Sequence, residues 1–254
     1  MRDARADEQP VLGSHSRLDR LDLPAHVTKP AAVRPMLGSR PFTVRRARTD
    51  WHPDSYAELG STVGVSLTKG GTFSLTKQAG AAGVDAVNVG LGWDAHSTDG
   101  ADFDLDACAI GVKADGKVLS DKYFVFYLNL ASPEGAIRQT GEHHKGACDK
   151  ERITLNLAAV PAEVDKVVFA VAVWGAVQHS QTFGQVRNAF IRVLNPANGE
   201  ELARYDLNED TSTETAMVFG ELYRNQTEWR FRAVGEGHSP GLVGIAKEFG
   251  ISFR

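Results

Sequence analysis

The chain has 254 residues, of which 42% are hydrophobic and 24% are charged, and its formal net charge is −4 at pH 7. Such a composition supports one large domain or two small ones with a hydrophobic core, and it excludes collagen, wholesale disorder and a disulfide-stapled miniprotein. The acidic balance argues against a general nucleic-acid binder, and no apolar run reaches the roughly 18 residues of a membrane-spanning helix, so we expect a soluble cytoplasmic protein.

The first 60 residues differ in composition from the remainder of the chain. They contain six of the 10 prolines but three of the 25 glycines, and they carry a slight positive charge. No apolar period typical of a helix or a strand persists there, so we predict that residues 1–62 form a disordered N-terminal extension. The folded domain is then expected at residues 63–254. A basic docking arm around Arg45, Arg46 and Arg48 is the functional alternative for the extension.

Short β-rich runs follow from Val63 onward, about every 10–15 residues, with Gly, Asp, Asn and Pro between them. This spacing is typical of an all-β sandwich. The run VNVGLGW (87–93) places its large apolar residues on one face, as in a half-buried strand. The runs 123–130 and 167–174 are apolar on both faces and are predicted to be central strands. Hairpin turns are predicted at Asp115-Gly116 and Asn198-Gly199. Further strand candidates lie at 65–68, 72–76, 105–112, 153–157, 189–194, 202–206, 216–222 and 228–234.

One helix is predicted at the end of the chain. Ser239 is a candidate cap, Pro240 suits the first helical position, and Gly250 is a stop signal. Between them, apolar residues recur on one face, namely Leu242, Ile245, Ala246 and Phe249. The predicted fold is therefore all-β, a two-sheet antiparallel β-sandwich with this short C-terminal helix packed on it and the disordered N-terminal extension before it.

Five aspartates crowd the segment GWDAHSTDGADFDLDA (92–107), where one predicted strand ends and the next begins. In the second strand, alternation turns Phe103, Leu105 and Ala107 toward the core and leaves three aspartates on the opposite face. Like charges held together cost stability, and a hard cation with oxygen ligands removes that cost, so Ca²⁺ is the natural candidate. The alternative is a solvated acidic face paired with lysines. The aspartates are Asp94, Asp99, Asp102, Asp104 and Asp106.

A second polar loop, TGEHHKGACDKER (140–152), is expected to close over this acidic cluster. Its nitrogen and sulfur donors are softer than calcium prefers and would favour zinc, copper or another thiophilic ion. The alternative function is thus a soft-metal or oxyanion-capturing site. Cys108, on the same strand face as the cluster, either adds a thiol to the site or only packs. The polar candidates of the loop are Glu142, His143, His144, Cys148, Asp149 and Glu151.

Several stretches resemble the TerD family of tellurium-resistance and stress-response proteins, in the family's order, over residues 63–254. The resemblance implies a β-sandwich that binds calcium, with ligands at Asp94, Asp104, Asp106 and the 141–151 loop. It also implies a bacterial tellurite-resistance or stress-response protein that acts with other such proteins at the inner face of the membrane. The matching runs are VSLTKGGTFSLTK (65–77), VNVGLGWD (87–94), FDLDA (103–107), FVFY (124–127), FGQVRNAFIRV (183–193), RYDLNEDTSTETAMVFGELYR (204–224) and EWRFRAVGEG (228–237).

The 141–151 loop departs from the family pattern. Members usually carry a run like GDNLTGEGDGDDE, whereas this chain reads GEHHKGACDKE, which is two residues shorter and poorer in acids. Glu142 stands where Asp is usual and His143 where Asn is usual, while two acids survive at the end of the loop. We therefore predict weaker calcium binding than is typical, or one site instead of two, with ligands drawn from Asp94, Asp102, Asp104, Asp106, Glu142, His143, Asp149 and Glu151.

The family's usual opening, Met-Gly-Val-Ser-Leu, has a counterpart at residues 63–67, where valine replaces the initiator. A bacterial GTG start codon reads as valine inside a gene. We therefore hypothesise that residues 1–62 are an over-extended gene start and no working domain.

Signatures of nucleotide or metalloprotease chemistry are absent, since the chain has no Walker loop, HExxH motif or CxxC pair. The glycine-rich run 235–244 opens the last helix like a phosphate-binding turn, but no second parallel strand follows it. We therefore expect a non-catalytic calcium-binding protein. The enzyme alternative is a metal-dependent hydrolase that uses the same carboxylates.

Overall fold

The structure is a computed structural model that describes residues 64–78, 84–95, 104–142, 149–207, 213–239 and 241–252. The expected N-terminal extension lies outside these residues. The described strands form two six-stranded sheets that share one hydrophobic core, which confirms the predicted β-sandwich. The strands are β1 (Val65–Leu67), β2 (Thr72–Ser74), β3 (Ala86–Ala95), β4 (Leu105–Val112), β5 (Phe124–Val125), β6 (Ile137–Glu142), β7 (Glu151–Asn156), β8 (Lys166–Val173), β9 (Val186–Leu194), β10 (Glu201–Asp206), β11 (Ala216–Asn225) and β12 (Glu228–His238).

Helices make up a small part of the described chain. Two of them are single turns of four residues, and the third has nine residues. None of the described helices has the length and apolar character that crossing a membrane requires. They are α1 (Leu75–Gln78), α2 (Ala176–His179) and α3 (Gly241–Phe249), with 3-10 turns at Asp121–Tyr123 and Phe183–Gln185.

The first sheet has the strand order β1-β10-β9-β3-β7-β6, and the second has the order β2-β12-β11-β8-β4-β5. The described strand pairs are antiparallel, except that β1 runs parallel to β10. This exception differs from a purely antiparallel sandwich. It is possible because β1 meets β10 across a long stretch of chain and needs no hairpin to reach it.

Strand alternation sets the inward face of the first sheet. Val87, Val89 and Leu91 of β3 have no exposed surface and Trp93 is 8% exposed, which confirms the face predicted for the run 87–93. In the second sheet, β8 lies between β11 and β4 and is buried beyond its first residue, so its predicted central position is also confirmed. The largest fully buried side chains include Phe124, Phe169, Phe183, Phe219 and Phe231.

The run 123–130 is not the central strand that we predicted. It contributes only β5, at the edge of the second sheet, and then turns between Phe126 and Asn129. The Asn129 side-chain amide donates to the Phe124 carbonyl oxygen at 2.7 Å, which stabilises this turn against an extended strand. Leu128 and Leu130 are consequently more than half exposed, at 53% and 56%.

Strand β6 was not predicted from the sequence, and its last residues fall in the segment that we assigned to a polar loop. The strand pairs antiparallel with β7 at the edge of the first sheet. Its sequence, IRQTGE, offers one large apolar side chain, Ile137, and that residue is fully buried. A strand with so little apolar alternation forms because a partner strand is available, a contact that local periodicity does not report.

The predicted C-terminal helix is confirmed as α3. Ile245, Ala246 and Phe249 are buried, and the helix contacts β8, β11 and β12 of the second sheet. It ends at Phe249, and the next residue, Gly250, has a φ of +72°, in the left-handed region that favours glycine. The predicted turn at Asn198-Gly199 joins β9 to β10, and Gly116 also has a positive φ in its turn after β4.

Candidate cation site

The acidic segment joins, in sequence, a strand of the first sheet to a strand of the second. Strand β3 of the first sheet ends beside Asp94, and β4 of the second sheet begins after Asp104. The Trp174 backbone N–H donates to the Asp104 carbonyl oxygen at 2.8 Å and fixes the start of β4. We call this segment, from Asp94 to Asp104, the acidic rim. Asp99 and Asp102 lie between these residues in sequence but outside the described residues.

Asp94 presents an exposed carboxylate at an irregular strand end. The ladder between β3 and β9 shifts register between Gly92 and Asp94, which marks a bulge. The Asn188 side-chain amide donates to Asp94 Oδ2 at 2.7 Å. Over the part of the chain that the structure describes, no lysine or arginine pairs with this carboxylate. Arg187 is the register partner of Asp94 on β9, but the hydrogen bond that Asp94 accepts comes from the neutral amide of Asn188, so the exposed carboxylate can still attract a cation.

The expected alternation of the acidic strand holds for its described residues. Leu105 is 3% exposed and Ala107 is fully buried, while Asp104 and Asp106 are half-buried. Asp106 therefore lies on the face of the second sheet that points away from the core. Phe103 and Asp102 fall outside the described residues.

The thiol of Cys108 follows Asp106 on this face but is closed to solvent, at 2% exposure. Burial, with a smaller contribution from the nearby charge of Asp106, raises the pKa of Cys108 from 9.0 to about 12. A buried thiol whose ionisation is this strongly disfavoured is poorly suited to bind a metal ion as the thiolate. Of the two interpretations of Cys108, packing is therefore favoured.

Asp149 is fully buried on the outer face of the first sheet. Its Oδ1 accepts a hydrogen bond from Arg192 Nε at 2.6 Å, and its Oδ2 accepts one from a terminal nitrogen of Arg152 at 3.0 Å. Sequence reasoning did not foresee these arginines. A signal was nonetheless present, since Gly90 lies in the middle of a strand, where glycine often marks a close approach of other atoms.

Glu151 points in the opposite direction, into the sandwich. It alternates with the buried residues Ile153 and Leu155 along β7 and is only 3% exposed. Gln139 Nε2 donates to Glu151 Oε2 at 3.2 Å. Glu142 pairs in register with Glu151, but its side chain is not described.

The described candidate ligands thus lie on different faces of the sandwich. No group of three His, Cys, Asp or Glu side chains forms a metal site within the described residues. Five further candidates lie outside the described residues: Asp99, Asp102, His143, His144 and Cys148. The assignment of the ligands remains a prediction.

A GxSxG spacing occurs at GHSPG (237–241), between β12 and α3, and was not part of our sequence expectations. Ser239 is exposed at this turn, and the neighbouring His238 directs its Nδ1 to Glu248 at 3.5 Å. Among the residues with described contacts, no histidine is hydrogen bonded to Ser239. Within the described residues, this turn therefore shows no serine–histidine pair of the kind that a hydrolase uses.

Comparison with sequence families matches residues 63–249 to the TerD domain. The chain is 52% identical over 190 residues to the tellurium resistance protein TerD of Serratia marcescens, covering 74% of this chain and 98% of that protein. It is 45% identical over 190 residues to general stress protein 16U of Bacillus subtilis, covering 74% and 97% respectively. These relatives are named as resistance or stress proteins and not as enzymes.

A solved structure shares the fold. It is the crystal structure of a homologue of telluride resistance protein (TerD) from Streptomyces coelicolor A3(2), with a TM-score of 0.54 and 24% sequence identity. The match covers 68% of this chain and 100% of that one. The two-sheet architecture described above is therefore also that of an experimentally determined protein.

Proposed function

The chain belongs to the TerD domain family, and from this premise we propose that it is a non-catalytic calcium-binding protein of a bacterial tellurium-resistance or stress-response system. The resistance or stress role is supported by its relatives, which include proteins named tellurium resistance protein TerD, general stress protein 16U and stress response protein SCP2. Calcium binding is the more specific part of the proposal, and its support is electrostatic.

One observation supports calcium binding most directly. Asp94 and Asp104 end and begin strands of opposite sheets, and the short connection between them carries two more aspartates. Four carboxylates on one connection repel one another, and Ca²⁺ removes that repulsion while accepting several oxygen ligands at about 2.3–2.6 Å. The exposed carboxylate of Asp94, with a neutral amide as its described partner, fits such an ion.

The structure supports some of the proposed calcium ligands more than others. Asp94, Asp104 and Asp106 lie at or next to the acidic rim, and Asp102 is proposed with them from its place in the sequence. Glu142 and His143 remain proposed ligands whose side chains are not described. Asp149 and Glu151 already have protein hydrogen-bond donors, which supports one calcium site rather than two.

The proposed partners are other stress- and tellurite-resistance proteins, in the cytoplasm and at the inner face of the membrane. Support for them comes from family membership, because the relatives carry resistance and stress names. We propose a binding role in such a system and no reaction. Phosphate-ester hydrolysis with Mg²⁺ or Mn²⁺ that is lost when the rim aspartates are changed would favour the metal-dependent hydrolase instead.

The test is a calcium titration of the full chain after removal of metal with EDTA, followed by melting temperature and isothermal calorimetry. Calcium at 100 times its Kd stabilises a folded protein by about 2.7 kcal/mol, so we expect a rise in Tm of roughly 5–10 °C. In the double variant Asp94→Asn and Asp104→Asn, the rise in Tm should disappear because two carboxylate ligands are lost.

Asp85→Asn is the matched control. Asp85 is exposed, precedes β3 and lies at the end of that strand opposite to Asp94, so its variant should keep the full response to calcium. A wild-type chain that shows neither heat nor a Tm shift at millimolar calcium rules out the calcium proposal. An equal loss in the Asp85 control and in the double variant would rule out the acidic rim as the site.

A further inference from the structure

Three strands bring two arginines and an aspartate together on the outer face of the first sheet. Gly90 of β3 pairs in register with Arg192 of β9 on one side and with Arg152 of β7 on the other. Because Val89 and Leu91 face the core, Gly90 and its two partners face outward. The Asp149 carboxylate lies over Gly90, between the two guanidinium groups.

The arrangement depends on the missing side chain of Gly90. A Cβ atom at this position would lie 2.5 Å from the carboxyl carbon and both oxygens of Asp149, far inside van der Waals contact. Any other residue at position 90 would therefore displace the carboxylate. Glycine gives Asp149 a place against the backbone of the central strand.

Both oxygens of Asp149 are committed to arginine. Arg192 binds Oδ1 at 2.6 Å and Arg152 binds Oδ2 at 3.0 Å, while Arg192 also reaches Glu201 at 3.2 Å. Burial lowers the pKa of Arg192, but its hydrogen bonds and ion pairs with Asp149 and Glu201 outweigh that effect and leave the pKa raised. Arg192 therefore stays positively charged beside Asp149, and arginine side chains in general are not deprotonated in proteins.

A calcium ion at Asp149 would have to displace two charged donors and sit against two positive charges. Like charges at this distance repel, and the buried carboxylate would lose partners that compensate its own desolvation. We propose that Asp149 is not a calcium ligand but an anchor that holds the start of β7 against β3 and β9. We call the ion pairs of Asp149 with Arg192 and Arg152 the clasp.

The anchor refines the proposed function, because it assigns the cation to the acidic rim and removes Asp149 from its ligands. It also gives a different role to Asp149, one of the acidic residues that remain in the shortened 141–151 loop: its carboxylate pairs with two arginines. The effect on calcium rests on the proposed function, whereas the clasp itself rests only on the described contacts.

The experiment separates stability from calcium affinity in the full chain. Asp149→Asn in EDTA should lower Tm by roughly 6–20 °C, because breaking a buried ion pair leaves charge unpaired. Combined with Arg192→Gln, the loss should be clearly smaller than the sum of the two single losses, because both changes disrupt one clasp. Calcium affinity of Asp149→Asn, measured by calorimetry below its Tm, should stay within about threefold of wild type.

Arg152→Gln keeps the test decisive if Asp149→Asn does not fold. The Arg152 side chain is 26% exposed and supplies one bond to the carboxylate, so this variant should fold with a smaller Tm loss and unchanged calcium affinity. Asp85→Asn is the control for an exposed acid next to the same sheet, and its Tm in EDTA should remain near wild type.

Two outcomes overturn the anchor. Asp149→Asn that keeps the wild-type Tm in EDTA shows that the clasp contributes nothing, and a loss of calcium affinity of tenfold or more makes Asp149 a ligand whatever the Tm. If wild type binds no calcium, the proposed function fails while the measurements in EDTA still decide the clasp.

Discussion

At the residue scale, two of the three described buried acids, Asp149 and Glu221, are matched by basic side chains. Glu221 is 4% exposed and accepts hydrogen bonds from Lys166 at 3.1 Å and from Arg232. Asp149 is matched in the same way by two arginines. Removing one partner of such a pair leaves an uncompensated charge, so the role of these two acids is to form buried ion pairs. An acidic residue that lies close in sequence to a candidate metal-binding loop is therefore not necessarily a metal ligand.

Cys108 gives a prediction at this scale. With Cys148→Ser, so that Cys108 is the remaining thiol, iodoacetamide at pH 8 should label the native protein far more slowly than the protein in urea. Its pKa of about 12, against an ordinary value of 9.0, leaves about a thousandfold less thiolate, and the side chain is buried as well. Labelling is measured by mass spectrometry.

The same thiol predicts a pH dependence of stability. The unfolded thiol ionises near pH 9 and the folded one near pH 12, so its contribution is complete below pH 9 and is lost as the pH rises toward 12. The fall in unfolding free energy between pH 8 and pH 10.5 should be smaller in Cys108→Ala than in wild type. Rapid labelling of the native protein would contradict the buried, protonated state.

At the scale of elements, the same apolar pattern led to different structures. The runs 123–130 and 167–174 are both apolar on two faces, yet the second is the central strand β8 and the first forms only a two-residue edge strand. The difference comes from Asn129, whose side chain caps backbone carbonyls and favours a turn. Helix α3 shows the converse, because nine residues are too few for a stable isolated helix and packing must hold it.

Helix α3 should therefore respond strongly to loss of its buried face. Ile245 is fully buried, so Ile245→Ala is expected to lower the free energy of unfolding by about 2–5 kcal/mol through lost burial and a residual cavity. Urea unfolding followed by circular dichroism measures the change. Lys247→Ala, an exposed position on the same helix, should change the value by less than about 0.5 kcal/mol. Equal effects of the two substitutions would show that the helix does not depend on this packing.

At the scale of the whole molecule, the first two described strands lie at edges of the two sheets. β1 pairs with β10 at one edge of the first sheet, and β2 pairs with β12 at one edge of the second. The described strands of the sandwich thus begin at Val65. The Serratia marcescens relative, 98% of which is covered by 190 residues of this chain, matches that extent.

A chain that begins at residue 63, with Val63→Met as initiator, should fold without residues 1–62. We expect its Tm to lie within about 2 °C of the full chain, because the strands of both sheets are retained, whereas removal of a packed segment would shift Tm by about 2–4 °C per kcal/mol. Calorimetry of the two proteins makes the comparison. A chain starting at residue 71, which lacks β1, is the matched control and should be clearly less stable. A large loss in the longer chain would mean that residues before 63 stabilise the domain.

The sequence by itself determined the features that depend on neighbouring residues. Alternation located the inward face of β3, a cap, an apolar face and a glycine located α3, and short runs were enough to identify the family. The crowding of aspartates between positions 94 and 106 also pointed to the acidic rim. These signals are local, because strand and helix periods and turn preferences act over a few residues.

Only the tertiary structure decided which distant residues meet. Residues 137–142 form strand β6 because β7 is available as a pairing partner, and the run 123–130 lies at a sheet edge. Asp149 is paired with Arg192, 43 residues away in the sequence. The tertiary structure also separated candidate ligands that alternation and loop order had grouped, turning Glu151 inward and Asp149 outward. Such contacts depend on strand order and register, and a local pattern contains neither, because the same alternation is satisfied by many different neighbours.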